Sequence, residues 1–184
     1  MSAAQIQSIL DEFAPAQFDY WLIVDTVRIP DAFIELNEVL TIIESKSLFT
    51  NSEFEHLLDQ SPLMVKIKAD EAALNAWLYL PDFASSSVAF VVAAQDQSSL
   101  IHHLQQLLSV NINGKKMLFR YYTNVIWQQT ATQLLDEDIQ TILGPASVLI
   151  WGDKQLQAQS LTRLSSPIDT NQYHLISPIF LAWS

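Results

Sequence analysis

A two-residue turn, Asn113-Gly114, separates two runs of strand-like residues and constrains the fold more than any other feature of the sequence. Val110–Ile112 precedes the turn, and Lys115–Tyr122 follows it. Asn and Gly both tolerate the positive φ that a type I′ turn requires, so the pattern predicts an antiparallel β-hairpin in a fixed register. In this prediction Arg120 lies on the second strand, between aromatic neighbours.

Strand and helix patterns alternate along the rest of the chain. The predicted strands cover residues 20–24, 63–67, 88–94 and 147–151. The predicted helices cover 3–13, 31–44, 53–59, 70–80 (capped by Asp70), 97–109, 125–129 and a segment that ends at Leu143, before Gly144-Pro145. The lysines of the 63–67 strand favour an edge position, and the apolar run 88–94 favours a central one.

This order predicts an α/β (α+β) fold, in which helices flank a mixed β-sheet that contains the antiparallel hairpin. Residues 1–151 are expected to form one domain. Residues 152–184 have a weaker pattern and are interpreted as a C-terminal extension or small lobe that is adapted to one partner.

Composition restricts the classes of function. The chain has no cysteine, which excludes disulfides and thiolate metal sites and fits a reducing compartment. Its longest apolar run is far shorter than a membrane span, and its first residues do not resemble a secretory signal, so we expect a cytoplasmic protein without membrane insertion.

Negative charge is concentrated in the first third of the chain. Residues 1–60 hold 11 acids and 2 bases, a balance of −9 within the chain's net charge of −11. Such a field disfavours nucleic acid as a partner. It serves either solubility or the attraction of a basic partner protein.

The residues that could carry catalysis form no recognisable set. The three glycines cannot build a phosphate-binding loop, and adjacent His102 and His103 diverge by about 100° on a helix, which makes them a poor metal pair. Asp25, at a strand end, is the one candidate for a general base, and its alternative role is to bond the following turn. We therefore expect no catalytic residues, no cofactor and no metal.

Several large or charged side chains are candidates for partner binding. Arg120 either forms an intramolecular salt bridge or anchors a partner, because Arg and aromatic residues are favoured at interface hot spots. Tyr122, Trp127 and Trp183 belong to the same class. Ile34 and Ile42 lie off the apolar stripe of the 31–44 helix, which indicates either a second core contact or a partner.

Short segments follow one another in a recognisable order: Tyr20–Asp25 with Arg28 and Pro30, Ser47–Phe49, Ser61–Leu63, His103-Leu104, Asn113–Lys115, Leu118–Tyr122, and Leu143–Pro145 before Trp151. This series resembles the type VI secretion adaptor family, a domain of unknown function, over about residues 20–151. The family often continues the arginine strand with an aromatic residue, Asp and Pro, whereas Thr123-Asn124 follows Tyr122 here.

The resemblance implies an adaptor or chaperone that binds a secreted effector toxin and assists its loading onto the VgrG spike protein, without catalysis. The alternatives are an immunity-type inhibitor that blocks a toxin's active site and, less in keeping with the sequence, a small hydrolase that uses Asp25.

Overall fold

The computed structural model describes residues 17–68, 71–80, 82–153, 155–163 and 173–183. The helix predicted over residues 3–13 and the predicted cap at Asp70 lie outside these ranges.

Strands and helices alternate along the described chain. The strands are β1 (Phe18–Val24), β2 (Ile42–Ser47), β3 (Leu63–Ile67), β4 (Ser87–Ala93), β5 (Ser109–Ile112), β6 (Lys115–Leu118), β7 (Ala146–Gly152), β8 (Ala158–Thr162) and β9 (His174–Leu175). The helices are α1 (Ala32–Val39), α2 (Glu71–Tyr79), α3 (Phe83–Ser86), α4 (Gln97–Leu107), α5 (Asn124–Thr130), α6 (Asp136–Leu143) and α7 (Pro178–Leu181). Three 3₁₀ segments, Glu55–Gln60, Ala94–Asp96 and Ala131–Gln133, complete the described elements.

The described strands form two sheets. The main sheet has the order β2-β3-β1-β4-β7-β8, and every neighbouring pair in it is antiparallel. The small sheet has the order β6-β5-β9 and is mixed, because β9 runs parallel to β5. The predicted α+β fold is confirmed, and so is the central position of β4, which lies between β1 and β7.

Both faces of the main sheet are buried. Side chains alternate along a strand, so Trp21 and Ile23 of β1 point to one face while Tyr20 and Leu22 point to the other. The first face packs against α4, α5, α6, α7 and the small sheet. The second face packs against α1, α2 and Phe83 of α3. The sheet is therefore the middle layer of three.

The helix predicted over 31–44 is wrong in its second half. Helix α1 ends at Val39, Leu40 is extended, and residues 42–47 form the edge strand β2. Ile42 and Ile43 are β-branched and suit a strand as well as a helix, so the apolar spacing continued across a real boundary.

The predicted edge position of the 63–67 strand is also wrong. Strand β3 lies between β2 and β1, and β2 is the edge. Lys66 does not guard an edge, because its Nζ is 2.8 Å from Asp19 Oδ2 and donates to the Gln97 side chain at 2.7 Å. Because the sequence pattern did not predict β2, the 63–67 strand was expected at the edge of the sheet.

The hairpin is confirmed, with Ile112 opposite Lys115. Asn113 and Gly114 have φ values of 50° and 78°, and the Gly114 N–H donates to Asn111 Oδ1 at 2.8 Å. The second strand is shorter than predicted and ends at Leu118. Arg120 consequently lies in the turn that leads to α5, and not on a strand.

Candidate functional site

Asp25 is a buried carboxylate at the C-terminal end of β1, with 2% of its surface exposed. Its Oδ1 accepts a hydrogen bond of 3.2 Å from the Val27 N–H, so the plainer sequence interpretation, a bond to the following turn, is confirmed. Its backbone carbonyl also accepts the N–H groups of Arg28 and Ile29. Asp25 thus organises the tight turn between β1 and α1.

Arg120 reaches this carboxylate from 95 residues farther along the chain. Its Nη2 donates to Asp25 Oδ2 at 2.6 Å, while 45% of its side chain stays exposed. Arg28 approaches the same oxygen through Nε at 3.8 Å. The intramolecular salt bridge foreseen as one alternative for Arg120 is present, and its exposed part still faces solvent.

Tyr122 forms the other wall of this cluster. The Arg120 guanidinium carbon lies 5.7 Å from the centre of the Tyr122 ring, a cation–π distance. Burial raises the pKa of the Tyr122 hydroxyl, although nearby Arg120 opposes that change. Burial alone would lower the pKa of Arg120, but Tyr122 and Asp25 outweigh it, so the pKa rises and the guanidinium stays charged.

The turn between β6 and α5 holds Arg120 at its position. Thr123 Oγ1 donates to the Arg120 carbonyl at 3.2 Å, and the Asn124 amide donates to the Gly152 carbonyl at 2.8 Å. Thr123 and Asn124 occupy the two positions at which the resembling family often has Asp and Pro. Here Asp25, from β1, supplies the carboxylate that binds the arginine.

Trp127 and Trp183 belong to an aromatic cluster of the core. Trp127 is 1% exposed, and its ring N–H donates to the Tyr121 carbonyl at 2.7 Å. Phe119 contacts both Trp127 and Phe180 edge to face, with ring centres 5.9 and 6.0 Å apart. Half-buried Trp183 contacts Phe180 edge to face, with ring centres 5.0 Å apart. Trp127 therefore adjoins the Arg120 turn from inside the protein, and Trp183 joins the cluster through Phe180.

Ile34 and Ile42 lie on the opposite side of the main sheet from this aromatic cluster. Ile34 is 60% exposed on α1, whereas Ile42 is half-buried at the start of β2 and packs against the second face of the sheet. The predicted partner residues therefore divide between two regions. Arg120 and Tyr122 meet, and Ile34 belongs to a different surface.

A cleft of about 300 Å³ lies beside the aromatic cluster. Trp127 and Trp151 form its floor, and its rim is polar, with Gln128, Thr132, Asp153, Gln155 and Gln159. Asp153 is engaged in its own hairpin, where its carboxylate accepts the N–H groups of Gln155 and Gln157 at 2.9 Å. The cleft is mainly apolar, and most of its polar groups are neutral amides.

His103 of α4 is buried. Its Nε2 lies 3.0 Å from the Ile142 carbonyl, and its Nδ1 lies 3.0 Å from the Tyr173 hydroxyl. Burial lowers its pKa to about 4, so the ring is neutral at pH 7. In the described part of the chain, no group of three or more His, Asp or Glu residues is placed to hold a metal ion.

Two polar residues with clear roles escaped the sequence analysis. Asp138, fully buried in the first turn of α6, accepts the N–H groups of Ile176 and Ser177 at 2.7–3.1 Å. Arg163 donates to the Gly144 and Ala146 carbonyls. Asp138 lies in an acidic first helical turn, but its partners on residues 176–177 leave no local pattern in the sequence.

A family model described as a domain of unknown function, DUF4123, matches residues 20–141, from β1 into α6. The match starts where the sequence resemblance starts and ends ten residues before the expected limit at residue 151. No curated protein and no solved structure matches the chain. None of the helices within the described ranges is long and apolar enough to span a membrane.

Proposed function

The chain belongs to the DUF4123 family, and on that premise we propose that it is a non-enzymatic cytoplasmic adaptor that binds a type VI secretion effector and assists its loading onto the VgrG spike. The family match, which spans about two thirds of the chain, is the observation that carries this proposal. The family is associated with adaptors of such effectors.

The environment of Asp25 supports a protein that binds a partner and does not use Asp25 as a general base. A general base needs a carboxylate that can reach a substrate proton. The Asp25 carboxylate is buried, and its two oxygens are occupied by the Val27 N–H and the Arg120 guanidinium. This geometry supports a structural role for the residue that was the strongest catalytic candidate.

Arg120 is the best candidate for a partner anchor on this side of the protein. The salt bridge to Asp25 and the Tyr122 ring fix the guanidinium, while nearly half of the side chain remains exposed. Fixing an arginine before binding reduces the conformational entropy that an interface loses on association. A carboxylate or backbone carbonyl of an effector could then accept its remaining N–H groups.

The test is co-expression with the effector encoded beside this gene, followed by affinity capture and size-exclusion chromatography. We expect a stable complex at low micromolar concentration or below, and a ternary complex when VgrG is added. If the wild-type protein forms no complex with any neighbouring effector or spike protein, the proposal is wrong.

A toxin assay separates this proposal from the immunity alternative. An inhibitor lowers the activity of its toxin at equimolar ratio, whereas an adaptor can bind outside the active site and leave that activity unchanged. We expect unchanged activity in the complex. Complete inhibition without any effect on secretion would favour the immunity function.

The contribution of Arg120 is measured with Arg120→Ala and a matched control, Arg28→Ala, which removes the other exposed arginine beside Asp25. If Arg120 anchors the effector, its removal weakens the complex at least tenfold, and removal of Arg28 changes affinity less than threefold. If the Arg120 variant binds the effector with wild-type affinity, the role of Arg120 is limited to its intramolecular salt bridge.

A further inference from the structure

Helix α1 exposes large apolar side chains on its outer surface. Ala32 and Leu36 are buried against the sheet, and Leu40, which follows the helix, is buried beside them. Phe33, Ile34 and Val39, by contrast, are 45%, 60% and 45% exposed. Single exposed apolar residues are common, whereas this eight-residue helix carries three of them. We call the exposed residues of this helix, with Asp31, Glu35 and Glu38, the α1 surface.

The same surface is acidic. Asp31 and Glu38 are exposed, and Glu35 is half-buried. Within the described residues, none of these three carboxylates forms an ion pair. The sequence between residues 17 and 45 contains a single base, Arg28, which approaches Asp25. The three carboxylates of the α1 surface are therefore unpaired among the described residues.

Helical geometry interleaves the two properties. Residues four apart lie on the same side of a helix, so Ile34 and Glu38 are neighbours at the centre of the outer surface. Phe33 flanks them on one side, and Glu35 and Val39 lie toward the other. A binding partner that contacts the centre of this surface would thus meet an apolar and a negative side chain next to each other.

A groove adjoins the Val39 side of this surface. It has a volume of about 230 Å³ and lies between the end of α1 and helix α2, with walls formed by Val39, Leu40, Thr41, Lys68, Ala72, Ala73 and Ala76. The small alanine side chains leave room for one large apolar side chain from outside. Among the described residues that form the groove wall, Lys68 is the cation.

The negative charge of the α1 surface determines which kind of partner can bind there. A second copy of the chain would bring the same negative surface and be repelled. Residues 1–16 and 164–172, which lie outside the described ranges, contain acids and no Lys or Arg, so they do not complement the surface either. Anionic membranes and nucleic acids are excluded by the same sign of charge.

We propose that the α1 surface docks a basic amphipathic helix of a partner protein, with apolar side chains that cover Ile34 and Phe33 and enter the groove at Val39. Lysines or arginines of that helix pair with Asp31, Glu35 and Glu38. This mode of recognition lays the apolar face of one helix on exposed apolar side chains of its partner and uses charge to select the partner. The inference rests on the proposed function only in assigning the docked helix to the effector or the spike.

The first test uses a defined probe, a fluorescein-labelled 14-residue amidated peptide of Leu and Lys arranged as an amphipathic helix. Its matched control replaces every Lys by Glu. Fluorescence anisotropy at low ionic strength should show binding of the basic peptide to the wild-type protein and at least tenfold weaker binding of the acidic one. Binding should weaken as salt screens the charges.

Variants locate the binding site. Phe33→Ala with Ile34→Ala removes the apolar part, and Glu35→Gln with Glu38→Gln removes two charges, while alanine and glutamine keep the helix propensity high. Each pair should weaken binding about tenfold. The controls are Leu181→Ala, an equally exposed apolar residue elsewhere, and Asp136→Asn with Glu137→Gln, which removes two exposed acids elsewhere. These should change affinity less than twofold.

The outcomes are distinguishable. If the wild-type protein does not bind the basic peptide, or if the control variants lose as much affinity as the α1 variants, the inference is overturned. The same variants are then tested in the co-expressed effector complex, where loss of the complex supports the inference. A complex that survives both α1 pairs overturns it and leaves the adaptor proposal standing, whereas failure of the wild-type protein to form any complex counts against the adaptor proposal alone.

Discussion

At the scale of single residues, the pair formed by Asp25 and Arg120 joins the end of β1 to the turn before α5. Removing Arg120 leaves a buried carboxylate with the Val27 N–H and the more distant Arg28. Because solvent screens the exposed half of Arg120, we expect Arg120→Ala to lower the free energy of unfolding by about 1–2 kcal/mol, less than a fully buried pair would lose. Urea unfolding measures the change.

Arg28→Ala serves as the control for this prediction, because Arg28 lies 3.8 Å from the same oxygen and is similarly exposed. We expect a change within about 0.5 kcal/mol. An Arg28 variant that is destabilised as much as the Arg120 variant would mean that the two arginines share the carboxylate equally.

Gly144 is a second residue whose identity is fixed by its surroundings. It ends α6 with φ of 53°, and a Cβ at this position would lie 2.4 Å from the His103 ring. Gly144→Ala therefore combines backbone strain with a clash, and we expect a loss of at least about 3 kcal/mol or failure to fold. Thermal unfolding followed by circular dichroism measures the effect.

Gly114→Ala is its matched control. Gly114 also has a positive φ, of 78°, but a Cβ there would meet nothing within 4 Å. The expected loss is about 1 kcal/mol, the cost of the backbone conformation alone. Equal losses of stability in the two variants would mean that a Cβ at position 144 does not clash with the His103 ring.

His103 makes stability depend on pH. Burial lowers its folded-state pKa to about 4, below the ordinary value of 6.5. Between these two values the unfolded chain binds a proton that the folded protein does not, so the stability due to neutral His103 is complete above pH 6.5 and is lost progressively as the pH falls toward 4. The loss amounts to about 3 kcal/mol.

Urea unfolding of the wild-type protein and of His103→Gln across pH 4–7 isolates this contribution from that of the carboxylates. We expect the difference between the two proteins to shrink or reverse as the pH falls. His102→Gln, which removes the exposed neighbour, controls for the substitution itself and should retain the pH-dependent loss due to His103. A difference that is independent of pH would mean that His103 does not titrate in this range.

At the scale of elements, the sequence predicted those whose limits carry a local signal. The Asn113-Gly114 turn fixed the hairpin, and Gly144 fixed the end of α6, because each demands an unusual backbone conformation. The α1–β2 boundary has no such signal, and one helix was predicted where a helix and a strand exist. Contacts between distant segments, such as Asp25 with Arg120, depend on the assembled sheet and leave no spacing to detect.

Helix α6 illustrates how an element binds a distant segment. The buried Asp138 carboxylate accepts N–H groups from Ile176 and Ser177, and the Leu135 N–H donates to Ser177 Oγ at 2.9 Å. Hydrogen bonds to a buried charge are stronger than those between neutral groups. We expect Asp138→Ala to cost about 3 kcal/mol and to increase hydrogen exchange selectively over residues 173–183.

Asp136→Asn provides the comparison, since Asp136 lies in the same helical turn but is exposed. It should lose only the interaction with the helix dipole, about 0.5 kcal/mol, without local change in exchange. Uniform exchange across the chain in the Asp138 variant would show that residues 173–183 are not held by this carboxylate in particular.

At the scale of the whole molecule, the separation of residues 152–184 as an extension stays a prediction, and a truncation that removes residues 164–184 tests part of it. Residues 158–162 add the edge strand β8 to the main sheet, and Leu175 and Phe180 are buried in the core of its first face. Burial of Leu175 and Phe180 is worth about 2–3 kcal/mol each. A chain that ends at Arg163 also leaves Asp138 without its N–H partners.

These losses approach the total stability of a typical domain, about 5–15 kcal/mol. We therefore expect the chain truncated after Arg163 to lose its cooperative urea transition, or to unfold at a much lower urea concentration. Phe180→Ala in the full chain is the graded version, with an expected loss of about 3–4 kcal/mol from the cavity beside Phe119. A truncated chain with a wild-type midpoint and slope of the urea transition would establish that residues 164–184 are separable from the rest of the fold.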